Sequence, residues 1–180
     1  MTDSRLTPYG SQTVGPFFDI GLSWLIERCP VDSGVAGAIE IRGRVLDGDG
    51  LPVPDAVLEF WSAENPAGSN SGAYPRGFRR AFTDAGGNFS VRVSRPSALP
   101  SEDGGIQAPH LLVLVFARGL LRHLISRVYF DDERANESDA VLAGISAERR
   151  RTMIAQRDEG NTFRWNVILQ GSEETVFFAW

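Results

Sequence analysis

Lysine is absent from this sequence of 180 residues, although the sequence contains 18 basic residues, all of them arginine. The absence excludes any mechanism that depends on a lysine amine, such as Schiff-base formation. Cys29 is the sole cysteine, which excludes an intrachain disulfide and a zinc site built from several thiolates. The formal net charge of −5 gives no sign of the clustered basic surface that a nucleic-acid partner needs.

Long apolar segments are also lacking. The longest apolar run covers residues 111–117 and is far too short to span a bilayer, so a membrane partner is not expected. The first residues, MTDSRLTPYGSQTVGPFF, are polar and lack the apolar core of a signal peptide. We therefore expect a soluble cytoplasmic protein.

The length suits a single domain with one sizeable core. Residues 1–38 are rich in turn formers and aromatics, which predicts an extended N-terminal arm. Residues 39–180 carry the strand patterns. Apolar and polar residues alternate in AIEIRGRVL (38–46), and further strands are predicted at the segments 56–63, 108–117, 123–130 and 162–171. The sequence thus predicts an all-β protein, specifically an antiparallel β-sandwich.

Two features interrupt or connect these strands. RRAFTDAGGNFSVRV (79–93) predicts a hairpin around the turn formers of residues 84–87. The segment of about 135–158 contains helix formers, with Ser146 as a plausible N-cap, and predicts a short helical insertion.

Several stretches together resemble the intradiol ring-cleaving dioxygenases. They occur in the order TPYGSQTVGPFF, GRVLDGDGLPVPDAVLEFWSA, FTDAGGNFSV, QAPHLLVLVFARGL, RVYFDDE and QGSEETVFF, and they extend over essentially the whole chain. Within that family the chain is similar to the metal-free subunit of a two-chain enzyme. The resemblance implies a β-sandwich with extended arms. It also implies a ferric ion, held by two tyrosines and two histidines, that opens 3,4-dihydroxybenzoate between its hydroxyls with O2.

The resemblance also implies that the iron belongs to a partner chain. Catalytic members carry two iron histidines as His-x-His, a spacing that places both imidazoles on one face of a strand. Here the matching stretch is PHLL, so His110 is retained but Leu112 replaces the second histidine. The loops that match the two iron tyrosines lack a tyrosine at the aligned place, although Tyr74 lies near the first. His110 is therefore interpreted as a vestigial ligand position.

The second histidine of the chain, His123, does not complete a set of iron ligands with His110. If residues 117–120 form a turn, His123 pairs near Leu114, roughly 13 Å along the strand from His110. Two imidazoles that share an ion each need a nitrogen within about 2.1 Å of it. His110 is accordingly expected to be a satisfied, partly buried histidine, and no metal site or catalytic residue is expected in this chain.

By the same resemblance, the arm segment QTVGP and the ARG turn approach the iron pocket of the adjoining chain. Carried over to this sequence, the implied substrate-binding residues are Thr13, Gly15, Pro16 and Arg118. A threonine hydroxyl can bond a polar substrate group, glycine allows close backbone approach, and proline stiffens the wall. An arginine guanidinium suits an anionic aromatic acid.

Other interpretations of the same residues remain open. Arg118 can be a plain turn arginine, and QTVGP an ordinary turn. Five aromatic residues near the chain ends predict either a large partner interface or burial in the chain's own core: Phe17, Phe18, Phe177, Phe178 and Trp180. At the level of function, the alternatives are a stand-alone dioxygenase that uses Tyr74 and His110, and a non-enzymatic sandwich of the transthyretin-like or carbohydrate-binding type.

Overall fold

The computed structural model describes residues 10–13, 15, 20–21, 37–63, 77–101 and 104–179. Within these ranges the chain is mostly β-strand. The strands are β1 (Ala38–Leu46), β2 (Val57–Trp61), β3 (Phe78–Phe82), β4 (Asn88–Ser94), β5 (Leu99–Pro100), β6 (Ile106–Gln107), β7 (His110–Phe116), β8 (Leu124–Phe130), β9 (Ile154–Arg157), β10 (Thr162–Arg164) and β11 (Val167–Ile168). The helices are α1 (Ala140–Ala143), α2 (Ala147–Arg150) and the 3-10 turns Arg134–Glu137 and Arg151–Met153.

Nine of the strands form one continuous sheet, so the predicted all-β class is confirmed. The strand order is β4, β1, β10, β9, β8, β7, β2 and β3. The short strand β11 also pairs with β1. The strands β3 and β4 at its two ends are joined by the short turn of residues 83–87, which makes the sheet nearly closed. The sheet is not purely antiparallel as predicted, because β1 pairs parallel with β10 and β11, and β8 pairs parallel with β9.

The core lies between the two flanks of this sheet. Alternate residues of β1, β4 and β10 pack against alternate residues of β2, β7 and β8 in a single buried cluster. Ile41, Phe60 and Val113 are fully buried members of this cluster. Gly43 of β1 is required by close packing, since a Cβ atom there would lie 1.6 Å from the carbonyl oxygen of Trp165. Burial of one face of every long strand explains why their period-2 pattern was readable.

The structure corrects two strand predictions. Residues 79–93 turn at the predicted place, where Gly87 N donates to Asp84 O at 2.9 Å, but they do not form a hairpin. The two arms pair with different strands, β3 with β2 and β4 with β1. The predicted strand 162–171 is split into β10 and β11, and both pieces pair with β1 in the same register.

The predicted helical insertion consists of short helical turns between residues 134 and 153. Ser146 is the N-cap of α2, and its hydroxyl accepts a hydrogen bond from Arg149 N. Residues 154–157, which the prediction included in the insertion, form β9 instead. The predicted arm of residues 1–38 lies largely outside the described residues. None of the helices in the described part of the chain is long and apolar enough to cross a bilayer.

Candidate functional site

The turn between β7 and β8 brings two of the predicted substrate-binding residues together. It is closed by a hydrogen bond from Leu120 N to Ala117 O at 3.2 Å, and Gly119 has a φ of 88°. Positive φ at the third position of a turn favours glycine. Gly119 N donates to the hydroxyl of Thr13 at 3.1 Å, so the arm lies directly against the turn that carries Arg118.

The other two predicted residues lie further along the arm. Gly15 has a φ of 63°, a left-handed conformation that glycine adopts without strain. Pro16 lies outside the described residues. The structure therefore places Thr13 and Arg118 at one common position, and it leaves the contribution of Pro16 as a prediction.

A mostly apolar groove of about 520 Å³ opens beside this turn. Gln12 and Ala117, the neighbours of Thr13 and Arg118 in the sequence, are among its lining residues. Phe116, Ile125 and Phe178 supply apolar wall. The polar groups of the lining include Ser11 and Arg122, whereas Thr13 and Arg118 lie next to lining residues without lining the groove themselves. An apolar groove with a few polar groups is typical of a small-molecule site.

Arg118 is exposed, and among the described residues it forms an ion pair with Asp55. Its Nη2 lies 3.4 Å from Oδ2 of Asp55, and the two side chains are 59% and 45% exposed. An exposed pair of this kind contributes little to folding stability. The guanidinium has further N–H groups for an anionic ligand, so the geometry is compatible with both a turn arginine and a carboxylate-binding arginine.

His110 is a buried histidine at the first position of β7. It is 8% exposed, and its Nδ1 lies 2.7 Å from Ala108 O. Because a carbonyl oxygen only accepts, Nδ1 is the nitrogen that carries the proton. The imidazole packs against the ring of Tyr129, with centroids 5.3 Å apart. This hydrogen bond fixes the tautomer and the ring orientation and leaves Nε2 without a proton, so the case against a metal rests on the neighbouring residues.

The residues around His110 do not fit a ferric ion. Leu112 lies two residues further along β7 and faces the same side as His110, and it offers no ligand atom. Burial raises the pKa of Tyr129 to about 12, which disfavours the phenolate that an iron ligand needs. Nη1 of Arg127 lies 3.3 Å from the Tyr129 hydroxyl and adds a positive charge on this side. Among the described residues no group of three or more His, Cys, Asp or Glu is arranged to hold a metal ion.

His123 cannot complete a metal site with His110. The strand register pairs Leu124 with Val115, which places His123 opposite Phe116 rather than near Leu114. The His123 and Phe116 rings are in tilted contact, with centroids 5.4 Å apart. His123 therefore lies six residues along β7 from His110, a distance of roughly 20 Å, because each strand residue advances about 3.3 Å. The expected distance of roughly 13 Å was too short. Tyr74, the remaining alternative ligand, lies outside the described residues.

Asp139 organises a buried polar network that the sequence does not predict. It is fully buried and is the N-cap of α1. Its carboxylate accepts hydrogen bonds from Leu142 N at 2.9 Å, from Ala108 N at 2.8 Å and from the Tyr129 hydroxyl at 3.4 Å. It therefore links the helical insertion, the start of β7 and the end of β8. An Asp before an apolar helical turn is a recognisable N-cap signal, but its two long-range contacts have no signal in the sequence.

The buried state of His110 predicts a pH-dependent stability. Burial lowers the pKa of His110, although its hydrogen bond to Ala108 O acts in the opposite direction. The unfolded chain, with a histidine pKa of about 6.5, then takes up a proton before the folded chain does. The free energy of unfolding is expected to fall as the pH drops through that range toward the lower folded pKa.

His110→Asn tests this expectation by urea unfolding between pH of about 7.5 and about 5.5, a window centred on the ordinary histidine pKa. The asparagine amide can still donate to Ala108 O but does not titrate, so the pH dependence is expected to become shallower. If the free energy of unfolding changes equally with pH in the variant and in the original protein, the proposed role of His110 is wrong.

The aromatic residues at the chain end are partly built into the chain's own packing. Phe177 packs against the main core. Phe178 packs against a second cluster that contains Tyr129, Leu142 and Met153. Phe17, Phe18 and Trp180 lie outside the described residues, so a partner interface involving the chain ends remains a prediction.

Another groove of about 530 Å³ crosses β9, β10 and β11 and contains none of the predicted site residues. Its three arginines are each held by an acidic side chain: Arg151 by Glu173, Arg157 by Asp132 and Arg164 by Asp158. Arg118 is likewise paired, with Asp55, so the ion pairs do not decide between the two places. The turn that carries Arg118 is the better candidate site because two of the predicted substrate-binding residues, Thr13 and Arg118, meet there.

Known proteins resemble this chain along most of its length. A family model described as Dioxygenase matches residues 26–171. The sequence is 38% identical to the protocatechuate 3,4-dioxygenase alpha chain of Burkholderia cepacia, over 99% of both chains. It is 24% identical to the protocatechuate 3,4-dioxygenase beta chain of the same organism, over 97% of this chain and 81% of that one.

A solved structure agrees with the fold. The dioxygenase domain of a dioxygenase and carbohydrate-binding fusion protein from Streptomyces sp. SirexAA-E superimposes with a TM-score of 0.61 and covers 96% of both chains. The sequence identity in that comparison is 18%. This likeness concerns the arrangement of the strands alone.

Proposed function

Because the chain belongs to the intradiol dioxygenase family, we propose that it acts as the α subunit of a protocatechuate 3,4-dioxygenase. The enzyme opens 3,4-dihydroxybenzoate with O2 to 3-carboxy-cis,cis-muconate, a step of aromatic compound catabolism in the β-ketoadipate pathway. The observation that supports this most directly is 38% identity to an alpha chain over the full length of both proteins. The family match also disfavours a non-enzymatic transthyretin-like or carbohydrate-binding sandwich.

The proposal assigns the ferric ion to a β subunit in an (αβ)n assembly. It is supported by the poor fit of the His110 face to a metal: Leu112 offers no ligand atom, and burial raises the pKa of Tyr129 to about 12. When bound in the partner, the ferric ion supplies the activation of the catechol toward O2. We place the assembled enzyme in the cytoplasm, and we interpret the two flanks of the nearly closed sheet as the layers of a β-sandwich.

This chain's own contribution is to form part of the substrate pocket. Arg118 offers N–H donors and a positive charge to the carboxylate of the substrate. The Thr13 oxygen accepts from Gly119 N, which leaves its hydroxyl proton free to donate to a polar substrate group. Gly15 allows the arm backbone to pass close to the ligand, and Pro16 stiffens the same wall.

The test is co-expression of this chain with a protocatechuate 3,4-dioxygenase beta chain, followed by purification through a tag on this chain. The beta chain is expected to co-purify, and the complex to consume O2 when 3,4-dihydroxybenzoate is added. The same chain purified alone is expected to consume none. Failure of the beta chain to co-purify, or O2 uptake by the lone chain, would contradict the proposed division of labour.

A further inference from the structure

The turn before β2 is held by hydrogen bonds to a buried hydroxyl group. Thr83 is 7% exposed, and its Oγ1 accepts from Ala56 N at 2.8 Å and donates to Val53 O at 2.8 Å. The backbone of Thr83 also donates to Ala56 O at 2.9 Å. Residues 53–56 are therefore bonded at both ends to one buried residue, and the corner between them has a fixed position.

Asp55 occupies that corner in an unusual backbone conformation. Its φ is 60°, and it is the only residue other than glycine with a positive φ in the part of the chain that the structure describes. Left-handed backbone is unfavourable for residues with a Cβ atom, although aspartate and asparagine tolerate it better than most. A strained residue at an exposed corner is a reason to ask what its side chain does.

The Asp55 side chain reaches the turn that carries Arg118. The last residue of β7, Phe116, is paired with Val57 of β2, so the corner before β2 lies beside the turn after β7. At this junction Oδ2 of Asp55 lies 3.4 Å from Nη2 of Arg118. Thr13 holds the same turn from the arm through Gly119. The guanidinium is thus anchored on a turn that is fixed from two directions.

We propose that Asp55 is a positioning residue that orients the Arg118 guanidinium toward the carboxylate of the aromatic acid. The inference rests on the proposed function of Arg118. An exposed arginine samples many rotamers, and a fixed neighbouring carboxylate restricts them before the ligand arrives. Nη2 of Arg118 faces the Asp55 carboxylate as an ion pair, and the other N–H groups of the guanidinium face away from it and serve the ligand.

The experiment uses the assembled αβ complex and steady-state kinetics with 3,4-dihydroxybenzoate. Asp55→Asn keeps the shape and the tolerance of left-handed backbone but removes the charge. Asp55→Gly removes the side chain and relieves the strained φ. Both variants are expected to raise KM about threefold to tenfold, with kcat within about twofold, because ligand orientation is affected more than chemistry. Asp49→Asn, an exposed aspartate in the turn after β1, is the charge-matched control and is expected to leave KM unchanged.

Two further measurements separate positioning from a purely structural effect. Turnover of catechol, the analogue without a carboxylate, is expected to be the same in Asp55→Asn and the original complex. In Arg118→Ala, the added Asp55→Asn change is expected to have no further effect on KM, since coupled residues are not additive.

The results distinguish the proposed role of Asp55 from the proposed role of Arg118, on which it rests. An unchanged or lowered KM in Asp55→Asn, with a raised KM in Arg118→Ala, would overturn the role of Asp55 and leave the role of Arg118 intact. An unchanged KM in Arg118→Ala would overturn both. An equal loss of catechol turnover would show that Asp55 maintains the fold of the turn rather than the direction of the arginine.

Discussion

Replacing Arg118 with alanine in the assembled complex is expected to lower kcat/KM for 3,4-dihydroxybenzoate by about tenfold to a hundredfold. A hydrogen bond to a charged group contributes about 1.5–3 kcal/mol, and each 1.4 kcal/mol or so corresponds to a factor of about ten. Most of the loss should appear in KM, because the guanidinium binds a part of the substrate that does not react. Arg118→Lys should recover only part of it, since an ammonium group cannot form a bidentate contact with a carboxylate.

The matched control for this substitution is Arg92→Ala. Arg92 is an exposed arginine of β4, on the opposite flank of the sheet, and its removal changes the net charge by the same amount. Its kinetic constants should equal those of the original complex. If Arg118→Ala also leaves both KM and kcat unchanged, Arg118 is a plain turn residue and does not contact the substrate.

Replacing Asp139 with alanine is expected to lower the free energy of unfolding by about 3–5 kcal/mol. The change removes the N-cap of α1, worth about 1 kcal/mol, and leaves other donors without their acceptor, each at a cost of about 1–3 kcal/mol. Leu142 N is the donor of the cap, and the two other donors are Ala108 N and the Tyr129 hydroxyl. Since domains of this size are stable by about 5–15 kcal/mol, the loss is a large share of the total.

Urea unfolding of the purified chain measures this effect, and two comparison variants define its origin. Asp139→Asn retains one acceptor oxygen and should lose an intermediate amount, which remains measurable even if the alanine variant fails to fold. Ser146→Ala removes the exposed N-cap of α2, whose hydrogen bond is 3.4 Å long, and should cost about 0.5 kcal/mol. A similar small loss for Asp139→Ala and Ser146→Ala would contradict the importance of the buried network.

The sequence predicted the long strands of this fold well. Strands β1, β7 and β8 bury one face, so their apolar residues follow the period of the pleat. It did not predict that β3 and β4 pair with different neighbours. A turn between two strands brings their ends close together but does not determine whether the strands hydrogen-bond to each other. It also missed β9, since IAQR consists of residues that suit a helix equally well.

The candidate site was predictable to a smaller extent. Thr13 and Arg118 were named from the resemblance, and the structure shows that they meet at one turn through Gly119. Asp55 could not be named, because its contact with Arg118 joins residues far apart in the sequence and its backbone conformation has no sequence signal. The distance between His110 and His123 was underestimated, since the true register depends on where the connection between β7 and β8 ends.

The central claim is that this chain shapes the substrate pocket while the ferric ion belongs to its partner. Iron content, measured on the chain purified alone and on the chain co-purified with the beta chain, tests this claim most directly. The account predicts no iron in the lone chain and about one iron for each αβ pair, consistent with a ligand set that lies in one subunit. Stoichiometric iron in the lone chain would contradict it, and would direct attention to His110 and to Tyr74.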